Sequence, residues 1–552
     1  MPRAFHFLRR HFASALFALC VLAFLWLPIG QFFGAALREV FVQPALLQFA
    51  IPFAPLQRAL FFNTVVLAIA TALGALVIGV PVGIALVRGA RKVRPTLGVL
   101  CALPLALPPM MLATAWLEIS RTPPARSMAS YAATNAAQTS PLWRSSLVLA
   151  LCFFPVVAFA LRAALLAIPR DLQDAARLHQ SEWGVWRRLV LPLVAPALWG
   201  AAGIVAVLAM WEMGAPDLLD ARTYSVEIYR SLGADDALGE RGKNVRAALA
   251  SLPMMALGAL ALWPAMRALR LQNRRGVALA PDAVSGGQSD FRGVTIIAIL
   301  LLAISPLAPL VVFANQLRPM GVLWQTWDAN LAEIINTIVV ATSAATLMTF
   351  VALMLVAAWR DWPTRARELA TKLFVAPLSV SPILMGLALI GFYNRPFFAL
   401  LYGGIAPTGQ PVVDFLGDAA TRWGMEIIGD AMRFLPLAIL LTGEAARRIE
   451  PALIDAARGL GVSSLRAADT ILAPLLAPAL AGTWALLWAL CGAELATTVL
   501  VQQPGGQPLT VPIFGLMHIF ALAPVAALCL TLCALSGAAF GVAALVSKRW
   551  LR

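Results

Sequence analysis

What most limits the fold of this chain is the recurrence, about a dozen times, of apolar runs of roughly 20 residues, the length a helix needs to cross a bilayer. Charges are gathered in the segments between them. Of 552 residues, 61% are hydrophobic and only 12% are charged, a balance too apolar for a soluble globular protein of this size. The pattern predicts an all-α polytopic membrane protein. Its predicted spans cover 12–34, 59–87, 96–117, 143–168, 193–215, 246–266, 293–314, 331–357, 369–391, 426–447, 476–500 and 521–546.

Orientation follows from where Lys and Arg fall, because short loops rich in them stay in the cytoplasm. The clusters are Arg9/Arg10, Arg88/Arg91/Lys92/Arg94, Arg187/Arg188, Arg267/Arg270/Arg274/Arg275, Arg360/Arg365/Arg367/Lys372, Arg447/Arg448 and Lys548/Arg549. They put both termini on the cytoplasmic side of the membrane, and topology accounts for the net charge of +15 with no need of nucleic-acid binding. The apolar run after Arg10 lacks a small-residue cleavage site and is expected to stay as the first span. All six cysteines (Cys20, Cys101, Cys152, Cys491, Cys529, Cys533) fall inside predicted spans, where they act as small apolar residues. His6, His11, His179 and His518 are scattered, with no metal-binding spacing.

The chain also repeats itself. Asn63-Thr64 recurs as Asn336-Thr337, and Pro104 and Pro109 recur as Pro377 and Pro382, all at a separation of 273 residues. Asp174-Ala175-Ala176-Arg177 recurs as Asp455-Ala456-Ala457-Arg458 at 281, while Pro192, Pro196, Gly200 and Glu212 match Pro474, Pro478, Gly482 and Glu494 at 282. Two halves are therefore expected, 1–266 and 293–552, each of six spans and both facing the same way. A basic and then Gly/Ser/Pro-rich linker, 267–292, joins them.

The repeated polar loop is the most specific motif. In its second copy, 450–474, Glu450 to Arg458 favours helix, Gly461 can serve as a left-handed stop, Ser463 or Ser464 can cap a second helix, and Pro474 begins the return to the membrane. This spacing resembles the EAA loop of binding-protein-dependent type I ABC importer permeases. Asp455 stands for the glutamate, Ala456 and Ala457 match, Gly461 and Ile471 fall in register, and Ala473-Pro474 ends the pattern. The first copy, 170–192, is one residue short between Ala176 and Pro192 and has His179 or Gln180 where the glycine belongs.

The resemblance implies a fused two-half permease whose loops dock on two copies of an ABC ATPase. It also implies that a periplasmic binding protein delivers cargo to the other face. The chain has no G-x-x-x-x-G-K-S/T phosphate loop, so it is expected to bind no cofactor itself, ATP being used by the partner subunits, and to be no enzyme. Two stretches, Ala215 to Tyr229 and Gln502 to Met517, resemble the ferric-iron and thiamine branch. Glu212 and Glu494, at matching positions late in the fifth and eleventh spans, are candidate path residues together with Trp211. A carboxylate pair would favour a cation: ferric iron, thiamine or a polyamine. Each glutamate could equally pair with an arginine or cap a helix. The rivals are a proton-coupled secondary transporter of six plus six spans, and ABC import of phosphonate or another solute.

Overall fold

The computed structural model describes residues 2–49, 55–89, 93–121, 141–233, 239–275, 292–318, 320–359, 362–395, 411–447 and 473–550, with single positions 449, 456, 459, 460, 462, 466, 470 and 471. Among these residues every regular element is helical. The first part of the chain forms α1 (Pro2–Val42), α2 (Pro55–Arg88), α3 (Arg94–Ala102), α4 (Pro109–Arg121), α5 (Pro141–Leu166), α6 (Arg170–Arg177), α7 (Glu182–Val185), α8 (Leu191–Trp211), α9 (Gly214–Leu218), α10 (Tyr224–Gly233) and α11 (Gly239–Arg275). Its last helix runs past the predicted span end and into the predicted linker. The second part forms α12 (Arg292–Leu302), α13 (Ala308–Gln316), α14 (Gly321–Ala329), α15 (Leu331–Trp359), α16 (Thr364–Val375), α17 (Pro382–Tyr393), α18 (Pro411–Ala446), α19 (Ala473–Gly492), α20 (Thr498–Val501), α21 (Thr510–His518) and α22 (Leu522–Trp550).

Among the described residues, 9 helices are long and apolar enough to cross a membrane, or up to 11 when each of two bent pairs is taken as one span. The chain is an all-α, multi-pass membrane protein. The predicted span at 426–447 lies in α18 but for its last residue, and Glu426, Asp430, Arg433 and Glu444 interrupt its apolar run.

The predicted spans 96–117 and 369–391 are broken rods rather than continuous helices. The segments bend by 98° at α3–α4 and by 100° at α16–α17. Each break follows a 3-10 turn, Leu103–Ala106 in one case and Ala376–Ser379 in the other. Prolines cause it. Leu107, before Pro108, has ψ 127°, and Ser381, before Pro382, has ψ 134°, because a following proline ring pushes a residue out of the helical region.

Helix α2 packs along α5, α8 along α11, α15 along α18 and α19 along α22. With lipid as apolar as leucine, such contacts depend on close fit rather than on water exclusion. Gly203 shows how close: a Cβ there would lie 2.0 Å from the Ala261 carbonyl oxygen, so α8 and α11 can touch only through a bare backbone. One face of α2 buries Leu67, Ala68 and Ala75, while Ile69, Leu73 and Val77 point outward, where a bilayer would cover them. One apolar core joins both parts of the chain, with Met110, Met111, Leu112, Phe154 and Phe374 fully buried.

Candidate functional site

Two places combine polar side chains with an ordered backbone. The first is the loop 170–192. Helix α6 ends near Arg177, a short turn follows, and Ser181 caps α7 by accepting from the Gly184 amide at 3.3 Å. Arg177 braces the turn from both sides, donating to Asp174 at 2.5 Å and to Glu182 at 2.9 Å. Arg88, at the end of α2, donates to Gln173 at 2.7 Å and ties the loop to the membrane part. The helix–turn–helix expected for the second copy is thus what the first copy adopts.

Ala175 is exposed, Ala176 is half-buried, Pro192 is exposed, and His179 and Gln180 lie open on the turn. Beside them Leu178 is 80% exposed and Trp183 is 74% exposed. Of the second copy, Ala456 is exposed, Leu460 is 84% exposed, and Ile471 and Pro474 are half-buried. Asp455, Ala457 and Gly461 lie outside the described residues.

The second place is built around Glu212 and Glu494. Neither sits inside a helix as the predicted spans had it: α8 ends at Trp211 and α19 at Gly492, and each glutamate opens the chain segment that follows. Glu212 accepts from the Gly214 amide at 3.0 Å, and Glu494 from the Thr497 amide at 2.9 Å. The Ser225 hydroxyl donates to the Glu212 carbonyl at 2.8 Å, and the Thr510 hydroxyl to the Glu494 carbonyl at 2.8 Å.

Behind each glutamate lies the same latch. Thr64 accepts from the Tyr224 amide at 3.0 Å and donates to the Leu60 carbonyl at 2.8 Å. Thr337 accepts from the Leu509 amide at 2.8 Å and donates to the Glu333 carbonyl at 2.8 Å. Next to them, Asn63 donates to the Arg222 carbonyl at 3.0 Å, and Asn336 to those of Gly505 and Gln507 at 3.0 and 3.1 Å. Those two Asn-Thr pairs hold down the loops that carry the glutamates.

Thr337 supplies a direct test. It is 1% exposed, and Thr337→Val keeps its shape while leaving the buried Leu509 amide without an acceptor. The expected cost is about 1–3 kcal/mol in unfolding free energy, with Thr337→Ser close to wild type. Equal thermal midpoints for the valine and serine variants in detergent would rule the latch out.

The two glutamates do come within electrostatic reach of each other, and Arg433 acts on both. Arg433 forms an ion pair with Glu494, which is 3% exposed, so one glutamate has found the arginine partner that the sequence left open. Arg433 belongs to a set that the sequence reading passed over. Glu426, Asp430 and Arg433 stand at i, i+4 and i+7 on α18 and share one face. Ionisable residues at helical spacing inside an apolar run were the available signal.

Asp430 lies beside the Cys491 thiol and near Glu494. Glu426 lies near Asp430. The two halves of this site are not alike. The separation of 281 that relates Asp174 to Asp455 also relates Pro155, inside α5, to Pro436, inside α18. By it, Cys152 stands where Arg433 does, and its thiol donates to the Pro104 carbonyl at 3.4 Å, close to Glu212. Trp211 is buried, its indole N–H without a hydrogen-bond partner.

Beyond the glutamates, the stretches that follow them meet. Asp217 accepts from Arg230 at 2.6 Å and lies 3.4 Å from Nε2 of His518. Phe514 packs edge-on against both Tyr229, at 6.3 Å, and His518, at 4.4 Å. Cysteines placed at 217 and 518, in a Cys20→Ser background that removes the exposed native thiol, sit where side chains meet at their tips, too far for a direct disulfide; a short, reducible bifunctional thiol reagent is expected to join them and to stop transport until it is reduced. Full transport by the cross-linked protein would show that this contact does not open.

Comparison with protein-family models, with curated proteins and with solved structures returned no match. What fold and site define is a class: a multi-pass helical membrane protein of the transporter kind, with a buried ionic cluster where its two parts join.

Proposed function

We propose that this chain is the permease subunit of a type I ABC importer, with two six-span halves, 1–266 and 293–552, fused through a cytoplasmic linker. The observation that carries the reading is the loop 170–192. It is braced by Arg177 and Gln173 yet presents Leu178 and Trp183 outward, and an ordered loop with uncovered apolar side chains suits docking on another protein. The twin latches at Thr64 and Thr337 support descent of both halves from one ancestor.

On this reading two ATPase subunits grip 170–192 and 450–474 from the cytoplasm, where both termini also lie. Asp174, Ala175, Ala176 and Pro192 serve one grip, and Asp455, Ala456, Ala457, Gly461, Ile471 and Pro474 the other. A periplasmic binding protein delivers the solute to the outer face of the bacterial inner membrane. Glu212, Glu494 and Trp211 line the path, and cargo is ferric iron or a thiamine-like cation ahead of polyamine, phosphonate or another solute.

A second reading has its own support. Glu426 is 2% exposed and neither of its carboxylate oxygens has a hydrogen-bond partner, which is what a proton-coupled transporter would use. Reconstituted vesicles separate the two. Uptake that requires ATP, an ATPase partner and a binding protein supports the importer, whereas uptake driven by a proton gradient alone overturns it.

A further inference from the structure

Glu426 and Asp430 are both 2% exposed, one turn apart on α18. Asp430 lies beside the Cys491 thiol; Glu426 has no donor on either oxygen. A carboxylate left in that condition inside a membrane protein is costly. It is retained where something else supplies the missing donors.

Charge points the same way. Glu426, Asp430, Glu494 and Glu212 form a chain of mutually interacting carboxylates, and Arg433 is the basic group that acts among them. Four acidic groups share one guanidinium, so whenever more than one of them is ionised the cluster lacks a counter-charge. Its geometry is drawn out rather than convergent: along α18, Glu426 to Asp430 is about 6 Å and Glu426 to Arg433 about 10 Å at the helical rise per residue.

Among the described residues no three or more His, Cys, Asp or Glu side chains gather to hold a metal ion. The want is therefore for N–H donors at separated points, and the protein itself meets that want at Glu494 with a guanidinium. We propose that Glu426 and Asp430, together with Glu494 and Glu212, bind an extended organic cation carrying at least two ammonium or amidinium groups. One group rests between Glu426 and Asp430. The other reaches toward the acidic pair that shares Arg433. The permease reading places this site on a transport path, where a polyamine would then be the cargo in place of the ferric iron or thiamine-like cation that the resemblance implies, but binding itself does not rest on that reading.

Equilibrium binding of radiolabelled spermidine to the purified full-length chain in lipid nanodiscs tests the proposal without ATP or partner subunits. Wild type is expected to bind saturably, and propylamine to compete at least tenfold more weakly than spermidine. Glu426→Gln and Asp430→Asn are each expected to weaken binding at least tenfold while eluting as monodisperse protein with an unchanged Tm. Should either amide variant fail to fold, Glu426→Asp, which keeps the charge on a shorter arm, is expected to bind with intermediate affinity.

Absence of spermidine binding overturns the proposal. So does binding that Glu426→Gln leaves unchanged, or displacement of spermidine by ferric citrate at lower concentration than by spermidine itself. Glu426-dependent binding in a protein whose uptake proves proton-driven would retain the site and remove the importer reading. ATP-driven uptake that is indifferent to Glu426 and Asp430 would do the reverse.

Discussion

Replacing Arg433 with leucine is expected to destabilise the protein by about 3–5 kcal/mol, the usual effect of taking one partner from a buried ion pair. Glu494, 3% exposed, would keep the Thr497 amide as donor but lose its counter-ion. Glu212 would lose the same positive charge. Chemical or thermal unfolding in detergent measures the effect. The double variant Arg433→Leu/Glu494→Leu is expected to recover much of the loss, since an apolar pair of similar volume can match a buried salt bridge. A single variant as stable as wild type would mean that Arg433 does not hold the cluster.

The second large effect is expected on function with stability untouched. Leu178 and Leu460 are 80% and 84% exposed, so Leu178→Asp and Leu460→Asp should shift folding free energy by no more than about 0.5 kcal/mol. If these leucines dock on ATPase subunits, each aspartate should weaken assembly by about 2 kcal/mol, roughly 30-fold, and ATP-dependent uptake should fall with it. The change at Leu460 should be the more severe, because 450–474 keeps the full spacing of the resembled loop and 170–192 is one residue short. Pull-down of the ATPase beside uptake in vesicles decides the matter, and equal losses at both positions would contradict the asymmetry.

Helix positions were legible because a bilayer imposes a length and a polarity on every crossing. The predicted span 331–357 lies within α15, and 521–546 overlaps almost all of α22. The proline pairs at 104/109 and 377/382 marked the breaks, but not their size, because a bend depends on what packs against the freed carbonyls. Here one of these is the Cys152 thiol. The glutamates were found as isolated charges beside apolar runs, yet placed inside helices; hydropathy does not register that Glu212 is extended at ψ 129°. Glu426, Asp430 and Arg433 were missed for the opposite reason. They sit at the start of a long apolar run whose length satisfied the span pattern, and only their shared face sets them against Glu494.

The lone Arg433 between two glutamates carries a lesson about parity. Where two identical subunits meet about a twofold axis, every residue brought to that axis comes with its copy, so charges there can number two or four but never one. Two copies of Arg433 would give each glutamate its own guanidinium and leave less negative charge unmet. With Cys152 in the corresponding place, the count is odd. If the chain is the fusion of two halves proposed above, a single polypeptide can settle on such an uneven number, which two copies of one smaller gene product, meeting as equals, have no means to reach.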